Sequence, residues 1–131
     1  MTDNIIIKKE FDKYNLEMDS RGFLWIKHKP DVTFELEDAI QQENELISIC
    51  EGKLTSFVID VRILNWNAPK EVRNFHATSK KLQNIRKSEA ILINNLGLRI
   101  LANTYNKLNN PPNPVKIFTN EAEAINWSLK L

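Results

Sequence analysis

The chain has 131 residues, 42% of them hydrophobic and 27% charged, with 18 Lys+Arg against 17 Asp+Glu. That is the composition of one soluble globular domain, long enough to bury a core without disulfides or a structural metal. Its glycines, at positions 22, 52 and 97, stand too far apart for a dinucleotide-binding G-x-G-x-x-G turn or a Walker A loop, and one Cys with two His at no ligand spacing excludes a Cys/His zinc site.

The N-terminal stretch MTDNIIIKKEF has three consecutive apolar residues before Lys8, Lys9 and Glu10, too few for a signal h-region or a membrane span. Ile5 to Phe11 and Tyr14 to Met18 alternate or are β-branched. Asp19-Ser20-Arg21-Gly22 is a turn signal ahead of Phe23 to His28, so the chain begins with antiparallel strands. Thr33 is an N-cap candidate for a first helix with Leu36, Ala39, Ile40, Ile47 and Cys50 at helical spacing, Leu46 beside them and Gly52 as its stop. Phe57 to Ile63 reads as a strand. Pro69 suits a first helical turn ahead of Val72, Phe75, His76, Ser79 and Leu82, a second helix. Ala90 to Ile93 is a third strand of this series, followed by a helix with Leu98, Leu101, Ala102, Tyr105 and Leu108 on one side. The Asn109-Asn110-Pro111-Pro112-Asn113-Pro114 loop ends it. Val115 to Phe118 is the last strand, and Asn120 with Glu123 forms a box-like cap for a final helix through Ile125, Trp127 and Leu129.

Strands first, then β-α-β-α-β-α, predicts an α/β fold with a mixed sheet in a single domain over 1–131: an N-terminal antiparallel hairpin followed by consecutive β-α units. The register of SFVIDVRILNW, SEAILINN, the helix ending Tyr105-Asn106-Lys107-Leu108, and above all NPVKIFTNEAEAINWSL resembles the SpoIIAA-like superfamily, which includes the STAS domains and small stand-alone bacterial proteins. The likeness covers about residues 14 to 131. It implies that the principal helices lie on one side of the sheet, and that related folds use a half-polar, half-aromatic sheet face for association. Phosphoregulated STAS proteins carry an Asp-Ser-Ser-Gly-like stretch after the central strand. Leu64-Asn65-Trp66-Asn67-Ala68-Pro69 stands there instead, without a hydroxyl, so the phosphoswitch does not carry over.

Along the central strand, period-two alternation sends Phe57, Ile59, Val61 and Ile63 to one face, toward the helices, and Val58, Asp60 and Arg62 to the other. The second face, with Phe23 and Trp25 or Leu92 beside Val58, needs a cover: in order of preference the N-terminal hairpin, a second subunit or a ligand. The first helix carries Glu35, Glu37, Asp38, Glu43, Glu45 and Glu51 with no Lys or Arg, whereas residues 70–87 carry six basic residues and only Glu71. Neighbouring helices of opposite sign predict mutual compensation across solvated faces. A docking surface for an acidic partner is the alternative.

The carboxyl ends of the parallel strands are where open α/β sheets bind ligands. They gather His28, Asn65, Trp66, Asn67, Asn94, Asn95 and Asn120, with Asp60 and Arg62 next to them. The candidate binding set is therefore His28, Asp60, Arg62, Asn65, Trp66, Asn67 and Asn94, with Trp66 as an apolar anchor; the plain alternative is that the Asn residues cap and turn the chain. No catalytic set is legible: His76 and Ser79 lack a third group and an oxyanion hole, and Cys50 falls on an apolar stripe. Neither cofactor nor metal is expected. With a net charge of +1 and one Cys, the expectations are a cytoplasmic, non-catalytic interaction or ligand-sensing module without nucleic-acid partner or membrane insertion. A homodimer is expected, acting through the sheet face and the loop around Trp66 on a protein partner. The alternatives are a carrier of a small apolar ligand or, more remotely, an enzyme using Asp60, His28 or His76 as acid or base.

Overall fold

The computed structural model describes residues 4–63, 69–94 and 113–131. Six strands form one sheet in consecutive order: β1 (Ile5–Glu10), β2 (Tyr14–Asp19), β3 (Phe23–His28), β4 (Thr55–Asp60), β5 (Arg86–Leu92) and β6 (Val115–Phe118). The β1–β2 and β2–β3 ladders are antiparallel, and those from β3 to β6 are parallel. Two residues, Ser20 and Arg21, leave β2, and Gly22 at φ +102° turns the chain into β3, a conformation in which an added Cβ is strained.

Among the described residues four helices follow in chain order: α1 (Leu36–Cys50), α2 (Lys70–Thr78), α3 (Lys80–Ile85) and α4 (Glu121–Leu129). The N-cap of α1 is Glu35, two residues later than Thr33, because the Asp38 carboxylate accepts from the Glu35 N–H at 2.8 Å and closes the first turn there. Asn120 caps α4 as its sequence suggests, its side chain accepting from the Glu123 N–H at 2.9 Å.

The second predicted helix is two helices. Ser79 sits in extended backbone between them, capping α3 by accepting from the Leu82 N–H at 3.2 Å while its hydroxyl donates to the Glu43 carboxylate of α1. Helix α3 then runs into β5 without a loop, so that strand starts four residues earlier than the predicted Ala90. The predicted helix over Leu98 to Leu108 lies outside the described residues.

Both faces of the sheet are covered. On one side α1, α2 and α3 bury Leu24, Ile26 and Phe57, with Ile59 partly buried among them, against Ala39, Leu46, Ile49, Val72, Leu82 and Ile85. On the other, Phe23, Trp25, Val58, Ala90, Leu92 and Phe118 pack with Ala124 and Ile125 of α4. The predicted partners of Val58 are therefore its actual neighbours, but the cover expected from the hairpin, a second subunit or a ligand is supplied over β4–β6 by the C-terminal helix. It docks through its buried Ala124 and Ile125 and the tilted Phe118–Trp127 ring pair, centroids 5.6 Å apart. This also qualifies the one-sided helix layer that the resemblance implies. A second correction concerns Ile63: β4 stops at Asp60, the alternation stops with it, and Ile63 is 60% exposed.

Candidate functional site

The parallel strands end together, so His28 of β3, Asp60 of β4 and Asn94, two residues beyond β5, are set along one carboxyl edge. Asp60 and Arg62 do not lie side by side along a continuing strand, as the alternation suggests. The chain turns after Asp60, and Arg62 folds back on it with Nε to Oδ1 at 3.0 Å, Nη2 to Oδ2 at 2.8 Å and its backbone N–H to Oδ1 at 3.1 Å. Asp19 and Arg21 repeat the same clasp at the β2–β3 turn, with three bonds of 2.9 Å. An Asp-x-Arg clasp is thus a turn device of this chain, used twice.

At the carboxyl edge the clasp is extended. Arg62 Nη2 also donates to Glu121 Oε1 at 3.0 Å in the first turn of α4, and the Asn94 amide donates to the Arg62 carbonyl. Burial pushes the Asp60 carboxyl up, but the Arg62 hydrogen bonds and charge, with Lys27 nearby, hold it below the ordinary carboxylate range. The Asp60 bonds raise the Arg62 guanidinium above its already high value against the effect of burial, and Glu121 adds to them. The Asp60–Arg62 pair therefore stays charged at every physiological pH, and the network ties β4, β5 and α4 together.

On the helix side, His28 stands edge-on to Phe34 with centroids 5.0 Å apart and beside Tyr14 at 6.4 Å. Burial among these rings, reinforced by the charge of His76 and opposed by Asp60, lowers its pKa to about 4. His76 on α2 is also lowered to about 4, by burial and the Arg86 charge, against Glu43. Sequence reading kept the two histidines apart, one at the edge and one on a helix face. The fold sets them within electrostatic reach of each other, and His28 within reach of Asp60 as well. An imidazole held neutral this far below pH 7 is a weak base, and the Asp60 oxygens already accept three bonds, so the grouping is poorly matched to acid–base work.

Beneath α2 and α3 lies a polar layer that sequence reading missed. Arg86 is nearly fully buried, with Nη1 to Glu89 Oε2 at 3.2 Å and Nη2 to the His76 carbonyl at 3.1 Å. The basic run 70–87 conceals it among solvated lysines; only its place at the helix–strand junction, where a side chain must face the core, could have marked it. Buried Glu43 is the neighbouring acid, held by Ser79. Ser79→Ala removes both the α3 cap and the partner of a buried carboxylate, and should lower stability by about 2 kcal/mol in urea unfolding. Cys50 is a buried core residue whose thiol is pushed up by desolvation.

Of the candidate set, His28, Asp60, Arg62 and Asn94 share this edge; Asn65, Trp66 and Asn67, which follow it in sequence, lie outside the described residues. Among the described residues no group of three or more His, Cys, Asp or Glu is placed to hold a metal ion, and no helix is long and apolar enough to cross a membrane.

The model of the family described as a domain of unknown function, DUF7793, matches residues 16–131. The chain belongs to that family. Among solved structures it is similar to an uncharacterized protein of the DUF3478 family with a SpoIIAA-like fold from Shewanella loihica PV-4, at TM-score 0.61 and 17% identity over 95% of this chain and 91% of that one. A protein with unknown function from Arthrobacter sp. FB24 superposes at TM-score 0.32 and 21% identity over 88% of this chain and 98% of that one, which is too loose to bear on the fold. No curated protein matches. The DUF7793 chain thus has a SpoIIAA-like fold: a mixed six-stranded sheet with an antiparallel N-terminal hairpin. At this identity the likeness speaks for the fold alone.

Proposed function

We propose that this DUF7793 protein is a non-catalytic STAS-like contact module whose working surface is the carboxyl edge of the parallel strands, and that its partner there is a protein. The observation that carries the reading is the distribution of cover. The Phe57 face is closed by α1–α3, the Val58 face is closed over β4–β6 by α4, and the edge between them presents a charged network with exposed Val32 and Ile63 on the loops after β3 and β4. The consecutive strand order contains no reversal of the kind that opens a ligand crevice in doubly wound sheets. A sheet edge without such a reversal suits a protein contact better than an engulfed small molecule. The carrier of an apolar ligand has little to recommend it, since Val58, Ala90 and Leu92, the side chains such a ligand would touch, are fully buried next to α4.

Ile63 and Leu54 provide an internal control, being 60% and 62% exposed just beyond opposite ends of β4. A photo-crosslinking amino acid placed at Ile63 in the producing cell should yield a discrete protein adduct that is lost on Trp66→Ala or Arg62→Ala, and the same probe at Leu54 should not. Equal adducts at both positions, or none at Ile63, would count against the edge as the working surface.

A further inference from the structure

Helix α1 buries Ala39, Gln42, Glu43, Leu46, Ile49 and Cys50. At about 3.6 residues per turn this sends Glu37, Gln41, Asn44 and Ser48 to the opposite side, and all four are exposed. One flank of α1 faces the hairpin and is neutralised by it: Lys13 pairs with Asp38 at 2.8 Å and Lys9 with Glu45 at 3.7 Å. The other flank faces α3, where Glu43 meets Ser79, and along it Leu36, Ile40, Glu43 and Ile47 follow one another at spacings of four, three and four. Leu36 is 37% exposed and Ile40 43%. An apolar seam of Leu36 and Ile40 therefore lies open over the first turns of α1, on the side that adjoins the basic helices.

The lysines of the layer do not supply the compensation expected within it. Lys70, Lys80 and Lys81 are exposed, and none of them forms an ion pair among the described residues; the pairs made by α1 run to the hairpin instead. Those pairs and the buried Glu43 account for three of the six acids from Glu35 to Glu51. The remaining three, Glu35, Glu37 and Glu51, are exposed near the two ends of α1 and form no ion pair among the described residues, with the neutral Gln41, Asn44 and Ser48 between them. On α2 and α3 the only acid is Glu71. The outer surface of the layer is left divided by sign, with Glu37 and Glu51 at the ends of α1 and Lys70, Lys80 and Lys81 on its neighbours.

We propose that this helix layer is a self-association surface, on which a second copy of the chain docks face to face about a two-fold axis running along the helices. That axis lays α1 of each copy, with acid at both ends, over the basic α2–α3 of the other, twice, and brings the two Leu36–Ile40 seams together at the centre. A two-fold axis across the helices would lay acid on acid and base on base. The divided surface thus selects one of the two arrangements, and this contact leaves the carboxyl edge to its own partner.

Charge exchange tests the geometry on the full chain by sedimentation equilibrium at low (about 20 mM) and high (about 0.5 M) NaCl. The wild type should dimerise, more tightly at low salt. The pair Glu37→Lys with Glu51→Lys, and separately the pair Lys80→Glu with Lys81→Glu, should each weaken the dimer by about tenfold or more, since the altered charges become repulsive at both symmetric sites. Mixing the two variants, or combining all four substitutions in one chain, should restore it, and that recovery excludes misfolding as the cause. A wild type that stays monomeric up to roughly 1 mM at both salts, a dimer indifferent to the exchanges, or variants that fail to recover on mixing would overturn the proposal, as would a wild-type monomer that uses Lys80 and Lys81 to bind nucleic acid instead.

Discussion

Lowering the pH from about 7.5 to about 5 should remove roughly 2–4 kcal/mol of folding stability, in a range where carboxylates are still charged. His28 and His76 both hold a pKa of about 4 in the folded chain, against 6.5 for the free side chain. Below pH 6.5 the unfolded chain binds protons at these positions while the folded chain does not. The stability that neutral burial contributes is therefore complete above that value and is lost as the pH falls toward 4. At pH 5 the difference is about 1.5 pH units per histidine, or about 2 kcal/mol each, less whatever the two share by acting on one another. Groups facing them work in both directions: Asp60 and Glu43 favour the charged imidazoles, whereas Arg86 and the charge of His76 oppose them. The ion-paired Asp19, Asp38 and Asp60 are held below their ordinary value of 3.8, so their own contribution fails only in stronger acid. Urea unfolding at the two pH values measures the effect, and the double variant His28→Gln, His76→Gln should flatten it. A wild type equally stable at both would mean that the imidazoles reach water.

The second large effect separates two residues that strand alternation treats alike. Phe57→Ala should cost about 3–5 kcal/mol, because the ring is fully buried on β4 between α1 and α2–α3 and those helices cannot collapse into the space it leaves. Ile63→Ala should change stability by no more than about 0.5 kcal/mol, since its side chain is mostly in water beyond the end of the strand. Chemical denaturation of the two variants side by side decides the matter; comparable losses would mean that β4 continues past Asp60.

That contrast shows how far local pattern reaches. Phe57 and Ile63 share a parity in the sequence, and only the Asp60–Arg62 clasp, which turns the chain, separates them. The clasp was readable in principle from its twin at Asp19–Arg21, where the same spacing coincides with an evident turn signal. The break at Ser79 was less legible: every residue from Lys70 to Ile85 is compatible with one helix, and the interruption is stabilised by Glu43, 36 positions earlier. For the candidate site, the line of strand ends was visible, but not the company His28 keeps there. His76 comes into its reach through the way α2 lies on the sheet, a matter of packing rather than of spacing along the chain.

The order of the strands, the antiparallel start, the alternation through Asp60 and the cap at Asn120 depend on interactions within a few residues, and the sequence alone determined them. Three things depended on the tertiary structure: the sheet face that α4 covers, the surroundings that keep two histidines neutral, and the destination of the acidic helix's ion pairs. Each is set by how volumes and charges distant in the chain meet once the sheet has closed, and hydrophobic burial and electrostatics at that range leave no periodicity in the sequence.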